Sequence, residues 1–284
     1  MIKKILAEKG TLIFIEAHNP LSALIASKAE QVDSQGQTVK FDGIWSSSLT
    51  DSASRGIPDN ETLALSSRLE NIADIRNVTD MPIIMDADTG GQPEHFNYYV
   101  KRMIKIGVNG VIIEDKTGLK KNSLFGTEVK QTLADTNEFS EKIKKGKEAV
   151  SIEDFMIIAR LESLIAGYDV NHALERADAY VKAGADGIMI HSCKKTPDEV
   201  FLFSKEFRKK HPSVPLICVP TTYSSTSNRE LSEAGFNIVI YANHMLRAAY
   251  KAMENVSKEI LKNGRTEEVE NSCMSVRDII SLIP

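Results

Sequence analysis

Four acidic residues that follow short apolar runs are candidates for binding a divalent cation. Asp86 and Asp88 lie two positions apart after the run PIIM, and strand alternation would place both on one face. Glu114 ends the next apolar run, and Asp59 lies in the segment after GIWSSS. Like charges this close repel unless a cation lies between them, and Mg²⁺ or Mn²⁺ prefers carboxylate and water oxygens. The pattern predicts a cation bound largely through water; the alternative is that Asp-Thr-Gly-Gly only forms a turn.

Two nitrogen donors and a run of serines follow other apolar runs and are suited to binding an anion. Arg160 and His191 can each donate to an oxyanion, and Arg160 can hold a carboxylate or phosphonate through two donors. The alternative is an ordinary ion pair between Arg160 and Glu162, which alternation places on the same face. Ser46–Ser48, after Trp45, can offer hydroxyls and backbone N–H groups to an anion, or can belong to a plain loop.

The segment after Glu114 is lysine-rich and too long for an ordinary connection between a strand and a helix. Gly118 and Gly126 flank LKKNSLF, so that Lys120 and Asn122 can move over a site and exclude water from it. We therefore expect a gating loop at about residues 115–135. The alternative is a solvated basic loop.

The elements that must position these residues are eight apolar, β-branched runs at regular intervals. Spacers of this length suit parallel crossovers, and 94–107 and 171–184 show the apolar spacing of helices that end at a glycine. Eight such units predict a (β/α)₈ barrel over a doubly wound sheet, because the polar run ends would then converge at one mouth. The runs are LIFIEAHN from Leu12, GIWSSS from Gly43, PIIMDADT from Pro82, GVIIEDK from Gly110, FMIIARLES from Phe155, GIMIHS from Gly187, PLICVPTT from Pro215 and NIVIYANH from Asn237.

Composition narrows the class of protein. The chain has 284 residues, a formal charge of −4 and 42% hydrophobic residues, a composition that excludes disorder. Its length suits one barrel domain over residues 1–284, which we expect, as well as it suits two small domains. It lacks the large basic block that nucleic-acid binding requires, and no apolar run has the length of a signal peptide or membrane span. Three cysteines without a CxxC pair indicate a reducing compartment. We expect a cytoplasmic protein with a small-molecule partner, binding neither nucleic acid nor membrane.

The motifs together resemble the isocitrate lyase and phosphoenolpyruvate mutase superfamily, and within it the phosphoenolpyruvate mutases, over nearly the whole chain. The most specific motif is Glu-Asp-Lys followed, after three residues, by Lys-x-Asn-Ser. The matching segments are GIWSSSL (Gly43 to Leu49), Gly-Ile-Pro-Asp ending at Asp59, DADTGG (Asp86 to Gly91), EDKTGLKKNSLFG (Glu114 to Gly126), ARLES (Ala159 to Ser163) and GIMIHS (Gly187 to Ser192).

This resemblance implies a homodimer or homotetramer of barrels that exchange their last helix, and the interconversion of phosphoenolpyruvate and phosphonopyruvate. It implies Mg²⁺, for which Mn²⁺ can substitute, at a metal site made by Asp86, Asp88 and Glu114, with Asp86 holding the ion. The catalytic residues that it implies are Lys120, Asn122, Arg160, His191 and Asp59. The substrate-binding residues that it implies are Trp45, Ser47, Ser48, Leu49 and Ser123.

Three other functions compete with a mutase. A phosphonopyruvate hydrolase would use the same metal site and let water take the phosphoryl group, which Asn122 argues against. Carbon–carbon lyases of the superfamily place a catalytic Cys in the loop, where this chain has Asn122 and Ser123. A non-catalytic binding barrel would have to retain clustered charges without a ligand. The segment GQPEHF after DADTG departs from the better-known mutases, so the outer rim of this site can differ from theirs.

Overall fold

The computed structural model describes residues 1–33 and 36–283, and its centre is a closed barrel of eight parallel strands. Each strand pairs with the barrel strands before and after it in the sequence, and the first strand also pairs with the last. The predicted (β/α)₈ barrel is confirmed. A doubly wound sheet is excluded, because an open sheet has two edge strands that each pair on one side only, whereas every barrel strand here pairs on both sides.

Each of the eight predicted runs contains one barrel strand, and one short hairpin was not predicted. The hairpin strands are β2 (Glu30–Val32) and β3 (Thr38–Lys40), which pair antiparallel and have only exposed residues, so they lack the apolar alternation that would reveal them. The barrel strands are β1 (Leu12–Glu16), β4 (Gly43–Ser46), β5 (Ile83–Asp86), β6 (Gly110–Glu114), β7 (Met156–Leu161), β8 (Gly187–Ile190), β9 (Leu216–Cys218) and β10 (Ile238–Tyr241).

Helices fill most of the spacers between strands, as the periodicity predicts. The predicted helices 94–107 and 171–184 are found as α5 and α7, and each is followed by a glycine with positive φ, Gly107 (84°) and Gly184 (101°). None of the helices in the described ranges is long and apolar enough to cross a membrane. The helices are α1 (Ile2–Lys9), α2 (Pro20–Lys28), α3 (Ser48–Ala53), α4 (Leu65–Arg76), α5 (Pro93–Lys105), α6 (Thr136–Glu148), α7 (Val170–Lys182), α8 (Asp198–Lys210), α9 (Asn228–Glu233), α10 (His244–Asn263) and α11 (Val276–Ile280), with 3₁₀ helices at Ser123–Glu128 and Glu267–Ser272.

The interior of the barrel is an apolar core, so charged groups are restricted to its ends. Ile2 of α1 belongs to this core, which the barrel strands otherwise supply. The largest fully buried side chains include Phe14 and Trp45. Phe14 pairs with Gly43 across β1 and β4, and its ring occupies the space that a side chain at Gly43 would need.

The chain divides into two compact units. Met1–Asn243 contains all ten strands, and His244–Pro284 contains α10, α11 and a 3₁₀ helix. In the second unit α10 has no buried residue, and Tyr250, Met253 and Leu261 are exposed. One domain over residues 1–284 and exchange of the last helix both stay predictions.

We predict that Gly43→Ala destabilises the fold, because its Cβ would lie 2.2 Å from the Phe14 ring. Overpacking of this kind costs about 1–3 kcal/mol of the free energy of unfolding. Gly110→Ala is the matched control: Gly110 also begins a buried barrel strand, and its Cβ would meet its nearest neighbours at 3.5 Å. Urea denaturation should show a loss for Gly43→Ala alone, and equal midpoints for the two variants would contradict the prediction.

Candidate active site

A cavity at the carboxyl ends of the barrel strands brings together twelve of the thirteen residues predicted for the site. Barrel topology is the reason, since parallel strands place all their carboxyl ends at one mouth. Asp88 does not line the cavity but contacts Lys120, which does. The twelve lining residues are Trp45, Ser47, Ser48, Leu49, Asp59, Asp86, Glu114, Lys120, Asn122, Ser123, Arg160 and His191.

The loop predicted at about residues 115–135 lies across this mouth. The Lys120 ammonium is 2.5 Å from Asp59 Oδ1 and 2.7 Å from Ser48 Oγ, and it also pairs with Asp88. Asn122 Nδ2 donates to Asp59 Oδ2 over 3.0 Å. Loop and strand ends are therefore joined by charged hydrogen bonds, so the loop forms one wall of the cavity.

The two aspartates after β5 are brought together by a turn. The strand ends at Asp86, and Asp88 has a φ of +54°, outside any strand conformation. The Asp88 N–H donates to Asp86 Oδ1 over 3.1 Å, as in an Asx turn. The prediction that strand alternation places them on one face is therefore wrong, although both carboxylates lie beside Lys120 and Arg68.

Two of the three serines after Trp45 have their hydroxyls occupied by carboxylates. Ser46 Oγ donates to Asp51 over 3.1 Å, and Ser48 Oγ donates to Asp86 over 2.9 Å. The hydroxyls of Ser46 and Ser48 therefore position acids. What this segment offers an anion is its backbone N–H groups at the start of α3.

The mouth carries more negative than positive charge. Two groups of ion-paired and hydrogen-bonded side chains at the mouth together contain six carboxylates and four cations, which leaves a formal excess of two negative charges when all the acids are ionised. One divalent cation would balance this excess. The carboxylates are Asp51, Asp59, Asp86, Asp88, Glu114 and Glu162, and the cations are Arg68, Lys116, Lys120 and Arg160.

The pKa values of the acids reflect this imbalance. Burial raises the pKa of Glu114 to about 8, and burial with the neighbouring Asp86 raises that of Asp88. Burial acts on Asp86 too, but Lys120, Arg160 and Arg68 outweigh it and hold its pKa below the usual value. Glu114 Oε1 accepts no hydrogen bond, although the Lys116 ammonium is 3.3 Å away. A buried carboxylate oxygen is thus left for a further positive partner.

These residues fit a divalent cation that is bound mainly through water. In the part of the chain that the structure describes, no three His, Cys, Asp or Glu side chains converge into a direct metal-binding group. Mg²⁺ is commonly held by one or two carboxylates and several waters, so it does not need such a group. The excess of two negative charges and the unbonded Glu114 oxygen suit this kind of binding.

Arg160 and His191 line another part of the cavity, and both lie against the carboxylate of Glu162. Glu162 itself has no exposed surface. Its carboxylate accepts hydrogen bonds from Arg160 Nε (2.5 Å) and Ser123 Oγ (2.5 Å), and it lies 3.0 Å from His191 Nδ1. Burial would raise the pKa of Glu162, but Arg160 and His191 hold it far below its usual range. Burial and the Arg160 charge lower the pKa of His191, so its imidazole is neutral at pH 7.

Arg160 makes the predicted ion pair and still faces the cavity. Its Nε and Nη2 contact Glu162, Ser123, His191 and Glu114. Among residues 1–33 and 36–283, no partner is found for its Nη1. The ion pair therefore orients the guanidinium and leaves donors for an oxyanion.

Sequence reasoning missed four residues of the site. Arg68 and Lys116 are buried cations, and Glu162 was considered only as a competitor for Arg160. Thr221 lines the cavity, and its buried hydroxyl has no hydrogen-bond partner. Thr221, Glu162 and Lys116 carried the same signal as the other site residues, since they lie at the ends of the apolar runs PLICVPTT, FMIIARLES and GVIIEDK, whereas Arg68 lies in none of these runs.

Comparison with known proteins shows one family across nearly the whole chain. The family model for phosphoenolpyruvate phosphomutase matches residues 2–261. A phosphonopyruvate hydrolase of Variovorax sp. (strain Pal2) is 40% identical over 270 residues, 94% of this chain and 88% of that protein. The crystal structure of a phosphoenolpyruvate phosphomutase from Streptomyces platensis subsp. rosaceus is 38% identical, with a TM-score of 0.90 and coverage of 99% of this chain and 93% of that one. That of a phosphonopyruvate hydrolase complex with oxalate and Mg²⁺ is 36% identical, with a TM-score of 0.86 and coverage of 99% and 93%.

We predict that Lys120→Met loosens the loop, because it removes the charged bonds to Asp59 and Asp88. Hydrogen bonds to charged groups contribute about 1.5–3 kcal/mol, so cleavage of the loop by chymotrypsin should be about tenfold faster or more. Lys121→Met is the matched control, because the Lys121 ammonium donates to the backbone oxygen of Lys130 instead. Equal cleavage rates for the two variants would mean that Lys120 does not hold the loop.

Proposed function

The chain belongs to the phosphoenolpyruvate phosphomutase family, and within it we propose that this protein is the mutase that interconverts phosphoenolpyruvate and phosphonopyruvate. The observation that carries this proposal is the position of Asn122, which lines the cavity on the covering loop and is held there by Asp59. An amide at this place can contact the transferring phosphoryl group from the side that would otherwise face solvent.

We infer that Mg²⁺ is the cofactor, and that Mn²⁺ can replace it. Asp86 would hold the ion, with Asp59, Asp88 and Glu114 around its water ligands. When bound, the ion would supply positive charge that stabilises the enolate of pyruvate as the bond to phosphorus breaks. Its binding would also balance the negative excess at the mouth.

The phosphoryl group would be held by Arg160, His191 and Asn122. Its transfer has a loose transition state with charge spread over three oxygens, so catalysis depends on positioning and electrostatics. Arg160 is preorganised for this by Glu162, which accepts from Nε, while Nη1 makes no hydrogen bond to a described residue. A neutral His191 that carries its proton on Nε2 can donate one hydrogen bond to the phosphoryl group while its Nδ1 accepts from Arg160 Nη2, and it adds nothing to the repulsion between cations.

The oxyacid end of the substrate would lie against Trp45 and the start of α3. The backbone N–H groups of Ser47, Ser48 and Leu49 can donate to its carboxylate. Trp45 Nε1 is buried and finds no hydrogen-bond partner among the described residues, so it is a further donor at this end. Ser123 would complete the wall between this end and the phosphoryl group.

Phosphonopyruvate hydrolysis is the second candidate function, and the relative that is 40% identical favours it. The two reactions share the cleavage of the bond between carbon and phosphorus and differ in what accepts the phosphoryl group. In a mutase the acceptor is the enolate oxygen of the same molecule, so water must be kept out. The bonds between the loop and the strand ends favour a covered site and hence the mutase.

Product analysis tests this assignment. We expect phosphorus NMR of the enzyme with Mg²⁺ and phosphonopyruvate to show phosphoenolpyruvate as the main product. Asn122→Ala should lose nearly all of this activity while Mn²⁺ binding at the strand ends is retained, because Asn122 lies on the loop. If inorganic phosphate forms faster than phosphoenolpyruvate with the unaltered protein, the hydrolase is the correct assignment.

We predict that turnover requires a divalent cation, because such an ion would balance the two excess negative charges that the mouth carries when all its acids are ionised, and because Glu114 Oε1 accepts no hydrogen bond from the described residues. Treatment with EDTA should abolish turnover, and added Mg²⁺ or Mn²⁺ should restore it. Asp86→Ala should be inactive and should bind Mn²⁺ weakly by electron paramagnetic resonance. Activity that survives exhaustive EDTA treatment would contradict the metal assignment.

We predict that Arg160→Lys strongly reduces kcat/KM, because an ammonium cannot both bind Glu162 and present planar donors to a phosphonate. By analogy with the removal of one oxyanion donor, the loss should be on the order of 2–4 kcal/mol, or about 30-fold to 1000-fold. A fall of less than about threefold would mean that Arg160 serves only its ion pair with Glu162.

We also propose that the protein is a homodimer or homotetramer in which the last helix is exchanged between subunits. Support comes from α10, whose apolar side chains Tyr250, Met253 and Leu261 are exposed within a helix that has no buried residue. Light scattering should give a mass of two or four chains of 31.4 kDa. A monomer at micromolar concentration would contradict the proposal.

A further inference from the structure

Lys116 is a nearly buried lysine at the base of the covering loop, with 5% of its surface exposed. Its ammonium donates to Ser123 Oγ and to the backbone oxygen of Lys121, each over 2.9 Å, and lies 3.4 Å from Gln131 Oε1. All three partners belong to the same loop. One buried charge therefore joins the two sides of the loop internally.

Ser123 is the loop residue that contacts the anion-binding wall, the name we give to Arg160, His191 and Glu162. Its hydroxyl donates to Glu162 Oε2 over 2.5 Å and accepts from Lys116 Nζ and from Arg160 Nη2, over 2.9 and 2.8 Å. A serine hydroxyl has one donor and two acceptor sites, so its hydrogen-bonding capacity is fully used. The Ser123 side chain is thereby fixed in one orientation.

The same ammonium is held by acids of the strand ends. It lies 3.3 Å from Glu114 Oε1 and 3.6 Å from Glu162 Oε2. Burying an ammonium is costly unless it is paired, so Lys116 is stable here only while these carboxylates are near it. The contacts form a continuous path from β6 through Lys116 and Ser123 to Arg160.

From this path we propose that Lys116 is a positioning residue that sets how completely the loop excludes water during phosphoryl transfer. It acts through Ser123: while the ammonium holds the hydroxyl, Ser123 supports Arg160 and keeps the loop against the wall. The inference rests on the proposed mutase function, because only a mutase has to keep the phosphoryl group from water.

Replacement of Lys116 should change the ratio of the two products, which replacement of a merely structural residue would not do. A loosened loop admits water, which competes with the enolate oxygen for the phosphoryl group. The bond between phosphorus and carbon still breaks, but the new bond forms to water, and the products are inorganic phosphate and pyruvate. A structural defect would lower both products in proportion and leave their ratio unchanged.

The test compares Lys116→Met with Lys121→Met in phosphorus NMR with Mg²⁺ and phosphonopyruvate. The control removes a neighbouring lysine whose ammonium contacts Lys130 and no acid of the strand ends. For Lys116→Met we expect total turnover to fall about tenfold or more and the ratio of phosphate to phosphoenolpyruvate to rise about tenfold, the effect of losing one charged hydrogen bond. Lys121→Met should stay within about twofold of the parent in both.

A double-mutant cycle with Ser123→Ala tests the route of the effect. If Lys116 acts through Ser123, the double variant should resemble the more affected single variant instead of showing the product of both losses. Fully multiplicative losses, or an unchanged product ratio in a folded Lys116→Met variant, overturn the proposal. Should Lys116→Met fail to fold by circular dichroism, Ser123→Ala alone must raise the phosphate ratio, and an unchanged ratio in that variant overturns the proposal equally.

The products that the unaltered protein forms show separately whether the mutase assignment is wrong. If the unaltered protein releases mainly phosphate, the proposed function is wrong whatever Lys116 does. The double-mutant cycle can also be measured on total turnover, which counts both products. It therefore still tests whether Lys116 acts through Ser123, whichever product the unaltered protein forms.

Discussion

A carboxylate without exposed surface, that of Glu162, organises the mouth of this barrel. A buried charge is tolerated only when its hydrogen bonds are satisfied, and here Arg160 and Ser123 donate to the carboxylate while His191 Nδ1 lies 3.0 Å from it. These residues come from β7, from the end of β8 and from the covering loop. Satisfying one buried acid therefore fixes Arg160 and His191, which line the cavity, and the loop segment that forms one of its walls.

A second buried acid holds this arrangement in place. Asp115, directly after β6, accepts the backbone N–H of Glu162 over 2.8 Å and pairs with Arg176 and Tyr180 of α7. The start of the loop is thus bonded to the helix layer outside the barrel. The ion pair between Arg160 and Glu162 is part of the same scaffold, so pairing and ligand binding are not competing roles for Arg160. The pair sets the orientation that a ligand needs.

The sequence predicted the barrel and most of the cavity because both depend on a strong signal. Apolar runs that end in polar residues mark strands whose ends meet, and this rule located Asp86, Glu114, Arg160 and His191. The same rule does not find an exposed hairpin, because β2 and β3 bury no residue.

Buried cations were the second class of residue that the sequence did not reveal. Charged residues are exposed by default, so nothing in the sequence indicated that the Arg68 and Lys116 side chains are buried, although Lys116 ends the run GVIIEDK. Their burial depends on acids that are distant in sequence, Asp51 for Arg68 and Glu162 for Lys116. Strand alternation also failed at Asp88. The strand ends at Asp86, and Asp88 lies in a turn with positive φ.

The central claim is that the phosphoryl group moves within one molecule inside a covered site. A crossover experiment tests it most directly: phosphonopyruvate labelled with heavy oxygen on phosphorus is mixed with phosphonopyruvate labelled with heavy carbon in its skeleton. Mass spectrometry of the phosphoenolpyruvate at partial conversion should show the two labels in separate molecules. Phosphoenolpyruvate that carries both labels would contradict the account, because the phosphoryl group would then have passed from one molecule to another.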